Sequence, residues 1–394
     1  MLQEFLNERA KSVEFDRVYG GGGVGDSKKW RLYPQDILPM WVADMDFAVA
    51  EPIVEALRQR LTHPIFGYTF PSQGLKDAIV ETLQARHGWT IQPSNLVFLP
   101  GVEPGVNMAL KAILRPGDGV VVQTPAYRPL LDAPDHWGLK RIEAPLIREA
   151  DGPYTIDKAG LEDAIGRAHA LLLCNPHNPT GRVFTHEELR MIAEACERRN
   201  ALIISDEIHS DLVFDGRTHI PIATLDPEVA ARTITLMSGN KTFNIAGLKT
   251  AFAIIPNPAL RHRFQAARQG MVDSVNLLGL AATEAAYRQG EEWRRALVNY
   301  LEANRNHLAS ELGRRFSGIS FSPPEATFLA WLDCTALELE SEPQKFFLEK
   351  ARVGFSAGRE FGKEGRGHVR VNFGAPRVLI DDALDRMEQA LAGR

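Results

Sequence analysis

Three short stretches of this chain carry side chains whose types and spacing could do chemistry. The first is Ser238-Gly239-Asn240-Lys241-Thr242-Phe243-Asn244, which follows the apolar run 233–237 and delivers the Lys241 amine where a buried strand opens into a loop. An isolated lysine belongs on a solvated surface, because burying an unpaired ammonium is costly. Two companions argue for a different role here. The apolar run 201–204 leads through Ser205 to Asp206, a carboxylate at a strand end whose burial calls for a cationic partner. Asn175-Pro176-His177-Asn178-Pro179-Thr180-Gly181 follows another apolar run and is dense in turn formers, so its side chains should line a crevice. A lysine in this setting can form a Schiff base with a carbonyl cofactor. A carboxylate that keeps a pyridine nitrogen positive makes that ring an electron sink, which removal of an α-proton from an amino acid requires.

Further segments fit the same chemistry less specifically. The run 96–99 passes through Pro100-Gly101 into a helix ending near Leu114, and the N–H groups of Val102 and Glu103 at such a start suit a phosphate. An ordinary strand-to-helix turn reads the same way. Tyr127, after Thr124-Pro125-Ala126, stands at the same sheet edge, either stacked on a planar ligand or packed as half-buried core. In Val369-Arg370-Val371-Asn372-Phe373-Gly374 the alternation turns Arg370 away from its valine neighbours, to clamp a carboxylate or to make a structural ion pair.

These residues need a scaffold, and the pattern between them supplies one. Apolar runs at 96–99, 119–123, 170–174, 201–205, 233–237 and 250–255 are apolar throughout, as strands buried on both faces are. Helical periodicity covers 51–61 and 74–87. Thr185 and Glu188 stand at capping-box spacing ahead of Leu189, Ile192 and Ala193, which makes a crossover helix between two strands. The fold class expected is α/β, with a mainly parallel sheet in a large unit over residues 46–290. A smaller α+β unit is expected from residues 291–394 together with 1–45. Its elements are a long charged helix to about 315, strands at 328–332 and 368–373, and helices near 343–351 and from about 380.

The chain has 394 residues, enough for roughly two to three domains at about 150 residues each. Apolar residues at 44% and charged residues at 24% mark a globular protein, and a net charge of -5 without a basic stripe argues against nucleic acid. Cys174, Cys196 and Cys334 are odd in number and lack metal-site spacing, so neither disulfides nor a metal is expected. The mixed charges of Met1 to Arg9 do not read as a signal peptide, and no apolar run approaches about 18 residues, so the expectation is a cytoplasmic protein with no membrane partner.

The joint order N-P-x-N-P-T-G, S-D-E and S-x-x-K-T-F resembles the fold type I pyridoxal-phosphate enzymes of the aspartate aminotransferase superfamily over essentially the whole chain, which implies a mainly parallel sheet of the seven-stranded type in the large unit. Ser27-Lys28-Lys29-Trp30, Met40-Trp41-Val42-Ala43-Asp44-Met45-Asp46-Phe47, Asp206-Glu207-Ile208-His209 and Lys241-Thr242-Phe243-Asn244 are similar to the MalY/PatB branch, chiefly cystathionine and cysteine-S-conjugate β-lyases. The resemblance implies pyridoxal 5'-phosphate bound covalently to Lys241, with Asp206 on the pyridine nitrogen, Asn178 on the ring hydroxyl and Tyr127 on the ring face. It places the phosphate on Val102 and Glu103, with Ser238 and Lys249 adding to the cradle, and the substrate carboxylate on Arg370. Tyr68 matches a tyrosine that reaches the neighbouring subunit's phosphate, which implies a homodimer with shared sites and an amino-acid substrate. His209 stands where aminotransferases of this group commonly carry tyrosine, and Lys249 where many relatives carry arginine. The implied activity is β-elimination from an S-substituted cysteine. Transamination is the alternative, and a cofactor-sensing regulator is disfavoured because the family's N-terminal segment begins too early to leave room for a DNA-binding module.

Overall fold

The computed structural model describes residues 14–18, 27–148 and 152–393, so the segment from Met1 to Arg9 and the run Gly20-Gly21-Gly22-Gly23 lie outside the described residues. After a single helical turn at Lys28–Arg31 come helices α1 (Glu51–Leu61) and α2 (Gln73–His87). The Ser72 hydroxyl accepts from the Leu75 N–H to open α2, and Gly88, left-handed at φ 62°, closes it. Strand β1 (Leu96–Leu99) leads into α3 (Val102–Ile113), then β2 (Gly119–Thr124), α4 (Arg128–His136), β3 (Lys140–Arg148), β4 (Tyr154–Ile156) and α5 (Lys158–Gly166). Next come β5 (Ala170–Cys174), α6 (His186–Arg198), β6 (Leu202–Asp206), β7 (Thr233–Met237) and β8 (Ala251–Ile254). The capping box of α6 is formed: Thr185 Oγ1 accepts from the Glu188 N–H, and Glu188 Oε2 accepts from the Thr185 N–H.

These strands make one eight-stranded sheet in the order β1-β8-β7-β6-β5-β2-β3-β4. The middle of it, β7, β6, β5, β2 and β3, is parallel. Strand β8 runs antiparallel to both β7 and β1, and β4 adds a short antiparallel edge. Strands β3 and β4 have no counterpart among the apolar runs. Strand β3 lies near the sheet edge, where partial solvation allows Lys140, Arg141, Glu143 and Arg148 to interrupt the apolar pattern.

The chain continues through α7 (Pro258–Ala266), α8 (Leu277–Gln289) and the long α9 (Glu291–Arg315) into β9 (Ser320–Phe321), β10 (Leu329–Asp333), β11 (Ser356–Ala357), β12 (His368–Asn372) and α10 (Arg377–Ala392). A second, four-stranded antiparallel sheet runs β9-β10-β12-β11. Around 343–351 the helix is a single turn, Pro343–Phe346, that widens into a π turn. Helix α10 starts at Arg377, three residues before the apolar repeat marks it, because its first turn is not buried until Ile380. Leu38–Pro39 pairs in parallel with Val353–Gly354, and one apolar cluster joins Phe15, Leu38, Met40 and Phe47 to Leu301, Leu329, Val371 and Phe373. The N-terminal stretch therefore ends against the second sheet, as a strap crossing the face of the molecule.

Candidate active site

A cavity of about 720 Å³ opens at the carboxyl ends of the parallel strands, the place where such sheets collect chemistry. Register sets the ends level: Cys174 pairs with Asp206, and Asp206 with Leu236. The segments leaving those ends supply Asn178, His209 and Lys241 to the wall, the first turn of α3 supplies Val102 and Glu103, and Tyr127 caps the start of α4. Lys249, left-handed at φ 53°, enters just before β8, and Arg370 reaches in from β12 of the second sheet. Residues separated by more than two hundred positions thus share one cavity.

Asp206 is buried, its Oδ1 accepts from the Ile208 N–H at 3.1 Å, and it forms no ion pair among the described residues. Burial pushes its carboxyl up to about 7; the Ile208 bond opposes this, the Glu207 charge adds to it, and Lys241 opposes it again. A buried carboxylate held this way is short of a cation. Lys241 donates from Nζ to the Ala43 carbonyl at 2.6 Å. Burial lowers its pKa from the ordinary lysine value, Asp44 opposes that, and Arg370 and Lys249 reinforce it while Asp206 opposes it. The amine is thereby moved toward the neutral form that a base requires.

Arg370 is buried, which brings its guanidinium down to about 10, against the favourable charges of Tyr127 and Glu360. It donates to Asn178 Oδ1 at 3.0 Å, to the Trp41 carbonyl at 3.0 Å and to Ser356 Oγ at 3.3 Å, while Nε is buried and without a partner. Because Asn178 spends its oxygen on Arg370, its amide N–H₂ is left to donate into the cavity. His209 is buried, its Nδ1 has no partner, and burial, with Lys241 and Arg370 adding, lowers its pKa to about 3, so the ring is neutral. At the start of α3 the N–H groups of Val102 and Glu103 have no acceptor within the helix, and Pro104 contributes none.

Two expected residues lie elsewhere. The Ser238 hydroxyl donates to the Thr250 carbonyl at 2.6 Å and accepts from the Asn240 N–H at 3.0 Å, so it braces the loop behind Lys241 and is not part of the cavity wall. Tyr68 is 99% exposed, beside a separate cleft formed with residues 274–278. The strap supplies what residue types did not signal: Val42 and Ala43 line the cavity, and main-chain carbonyls of Trp41 and Ala43 take bonds from Arg370 and Lys241. Asn372 follows Arg370 by two positions on β12, so both lie on one face of the strand, a signal the alternation did contain.

The chain belongs to the aminotransferase class I and II family, whose pattern it matches over residues 35–387. It is 40% identical to cystathionine beta-lyase PatB of Bacillus subtilis (strain 168) over 361 residues, 91% of this chain and 93% of that protein. Its fold is similar to the crystal structure of OvoB, at 44% identity and a TM-score of 0.92, covering 97% of this chain and 100% of the other. It is also similar to a PLP-bound C-S lyase from Staphylococcus hominis, at 33% identity and a TM-score of 0.90 over 96% of this chain and 99% of the other.

Proposed function

We propose that this protein is a pyridoxal-phosphate-dependent carbon–sulfur β-lyase that converts cystathionine, or a related S-substituted L-cysteine, to a thiol, pyruvate and ammonia. The observation that carries it is the convergence on one cavity of a desolvated lysine, a buried carboxylate lacking a cation and a buried arginine with a free donor. Relatives named as cystathionine and C-S lyases support the choice of reaction.

The residues present fit the cofactor. The unpaired Asp206 carboxylate suits a pyridinium nitrogen, the free Asn178 amide suits a ring hydroxyl with neutral His209 near it, and Tyr127 can cover a ring face. The first turn of α3, Val102 and Glu103, suits the phosphate, with Lys249 adding charge and Ser238 stiffening the loop. Lys241 would hold the cofactor covalently. When bound, the cofactor supplies an electron sink for the charge left on the substrate α-carbon.

The remaining work falls to the protein's own groups. Arg370 orients the substrate by its α-carboxylate, through Nε and the donor positions that Asn178 and Trp41 leave open. Lys241, moved toward its neutral form because burial disfavours its charge, removes the α-proton, and the Ala43 carbonyl is in place to hold the resulting ammonium. Tyr68 would complete the phosphate seat of a second copy of the chain, giving a homodimer; its full exposure in one protomer agrees with this. Reduced, buried cysteines agree with a cytoplasmic enzyme.

The test is release of pyruvate and thiol from cystathionine and S-alkyl cysteines by the PLP-loaded protein with no keto acid added. Dependence on a keto acid would instead make it an aminotransferase. Lys241→Ala should remove the visible cofactor absorbance and nearly all turnover, and full activity in that variant would refute the assignment.

A further inference from the structure

The two cations of the site, Lys241 and Arg370, share a device that the reaction reading does not contain. Each stands close in sequence to an asparagine that grips the same strap. Asn244, three residues after Lys241, accepts from the Met45 N–H at 3.1 Å and donates to the carbonyls of Met45 at 3.0 Å and Phe47 at 2.8 Å. Asn372, two residues after Arg370, donates to the carbonyls of Val42 at 2.6 Å and Asp44 at 2.7 Å, and accepts from the Gly374 N–H at 2.8 Å. The Ala43 carbonyl, which accepts from Lys241, lies between the two residues that Asn372 holds, and the Trp41 carbonyl, which accepts from Arg370, lies one residue before them. The far side of the strap is pinned by the buried pair of Lys29 Nζ and Asp46 Oδ2 at 2.6 Å, with Trp30 Nε1 donating to Asp46 Oδ1 at 2.8 Å.

We infer that the strap over residues 41–47 is the positioning element for both functional cations, and that Asn244 and Asn372 are positioning residues that set it. Main-chain carbonyls cannot be aimed by their own side chains, so their direction at Lys241 and Arg370 is fixed by whatever holds the strap on either side. Each asparagine is tied to the element that bears its cation, so a shift of the strap displaces carbonyl and cation relative to each other. The Ala43 carbonyl favours the charged form of Lys241 and the Trp41 carbonyl orients the Arg370 fork. The two grips therefore differ in consequence: Asn372, which holds the residues on either side of Ala43 and next to Trp41, governs both carboxylate binding and the protonation of the base, and Asn244 anchors the strap beyond them at Met45 and Phe47. This rests on the lyase reading of the site.

The experiment uses the PLP-loaded enzyme and its Asn372→Ser and Asn244→Gly variants. Serine at 372 is too short to reach both carbonyls, and glycine at 244 keeps the left-handed backbone (φ 57°) and adds no charge but loses every side-chain bond to Met45 and Phe47. Hydrogen–deuterium exchange of the peptide covering 38–47 should quicken about tenfold or more in each variant, while peptides from β6 and β7 stay unchanged. Asn372→Ser should raise KM for S-methyl-L-cysteine about tenfold with kcat at the pH optimum within about twofold, and should move the alkaline-rising limb of the pH–rate profile to lower pH by about half a unit or more, since the ammonium loses its acceptor. Asn244→Gly should move both readouts in the same directions by less, since it frees the strap only beyond Asp44. The other charged and titratable groups facing Lys241, which are Asp44, Asp206, Arg370, Lys249 and His209, are the same in both variants. Unchanged strap exchange, or faster exchange with KM and the pH limb at wild-type values, would overturn the inference. Failure of the lyase reading is a separate result: a wild-type enzyme that releases no pyruvate from any S-substituted cysteine.

Discussion

Asp206 shows most directly how a residue serves function against stability. Its folded carboxyl lies near 7, raised chiefly by burial from a model-peptide value of 3.8. Because the folded value is raised, the protonated form is favoured by folding, and that contribution is complete below about 3.8 and lost as pH rises toward 7. Asp206→Asn keeps the Ile208 bond and removes the buried charge. The cofactor-free variant should therefore gain up to about 4 kcal/mol over wild type above neutrality, with little gain near pH 4, as measured by urea unfolding at both pH values. Turnover should fall by orders of magnitude. A variant no more stable than wild type at pH 8 would show that the carboxylate is not strained by its burial.

Among the elements, α3 is the one on which the proposed phosphate seat rests. Gly105 lets this helix lie close on the sheet: a Cβ there would come within 2.8 Å of Leu236 Cδ2 and 2.9 Å of Leu99 Cδ1. Both neighbours are fully buried and cannot move freely. Gly105→Val should tilt the first turn away from the cavity and weaken PLP binding about tenfold or more, read by spectroscopic titration, with modest loss of stability. Unaltered affinity would mean that the seat does not depend on the helix start. Strand β12 would work the same way for the substrate side, because Arg370 and Asn372 share a face and both bond the strap, while Arg370 Nε keeps a free donor.

At the scale of the molecule, a buried charge cluster ties separate elements together. Asp211, in the turn after β6, lies 2.7 Å from Arg86 Nη1 at the end of α2, and Arg294 of α9 donates to its carbonyl at 3.0 Å. Burial alone would raise the Asp211 pKa, but Arg86, His87 and Arg294 bring it well below the carboxylate range. Its stabilisation is thus present above the unfolded value and lost as pH falls through it. Asp211→Ala leaves Arg86 buried without this partner and should cost about 3–5 kcal/mol in denaturant unfolding at pH 7. A loss below about 1 kcal/mol would show that Glu291, 2.8 Å from Arg86, suffices. The surface carries a different message. Phe66, Tyr68 and Phe70 are exposed on one segment, Phe70 at 92%, an apolar patch that a monomer would not be expected to leave open. Sedimentation should give twice the 43.7 kDa chain mass, and Phe70→Asp should shift it toward the monomer. A wild-type monomer would refute the shared site.

The chain's local order determined the parallel interior of the sheet and the places of Lys241, Asp206 and Asn178 at or just beyond the ends of its strands, with Arg370 turned from its valine neighbours. Buried strands need apolar runs, and polar residues at their ends stand out against those runs. It did not determine the edge strand β3, where solvation blurs the pattern, nor that the Ser238 hydroxyl turns to Thr250 instead of to the cavity. The strap is the clearest case of what only the tertiary structure decided. Its carbonyls meet Lys241 and Arg370 across 198 and 329 positions, and its grips by Asn244 and Asn372 span up to 199 and 330. A main-chain carbonyl is present at every residue, so nothing in the order of side chains marks the ones that folding will aim at the two cations.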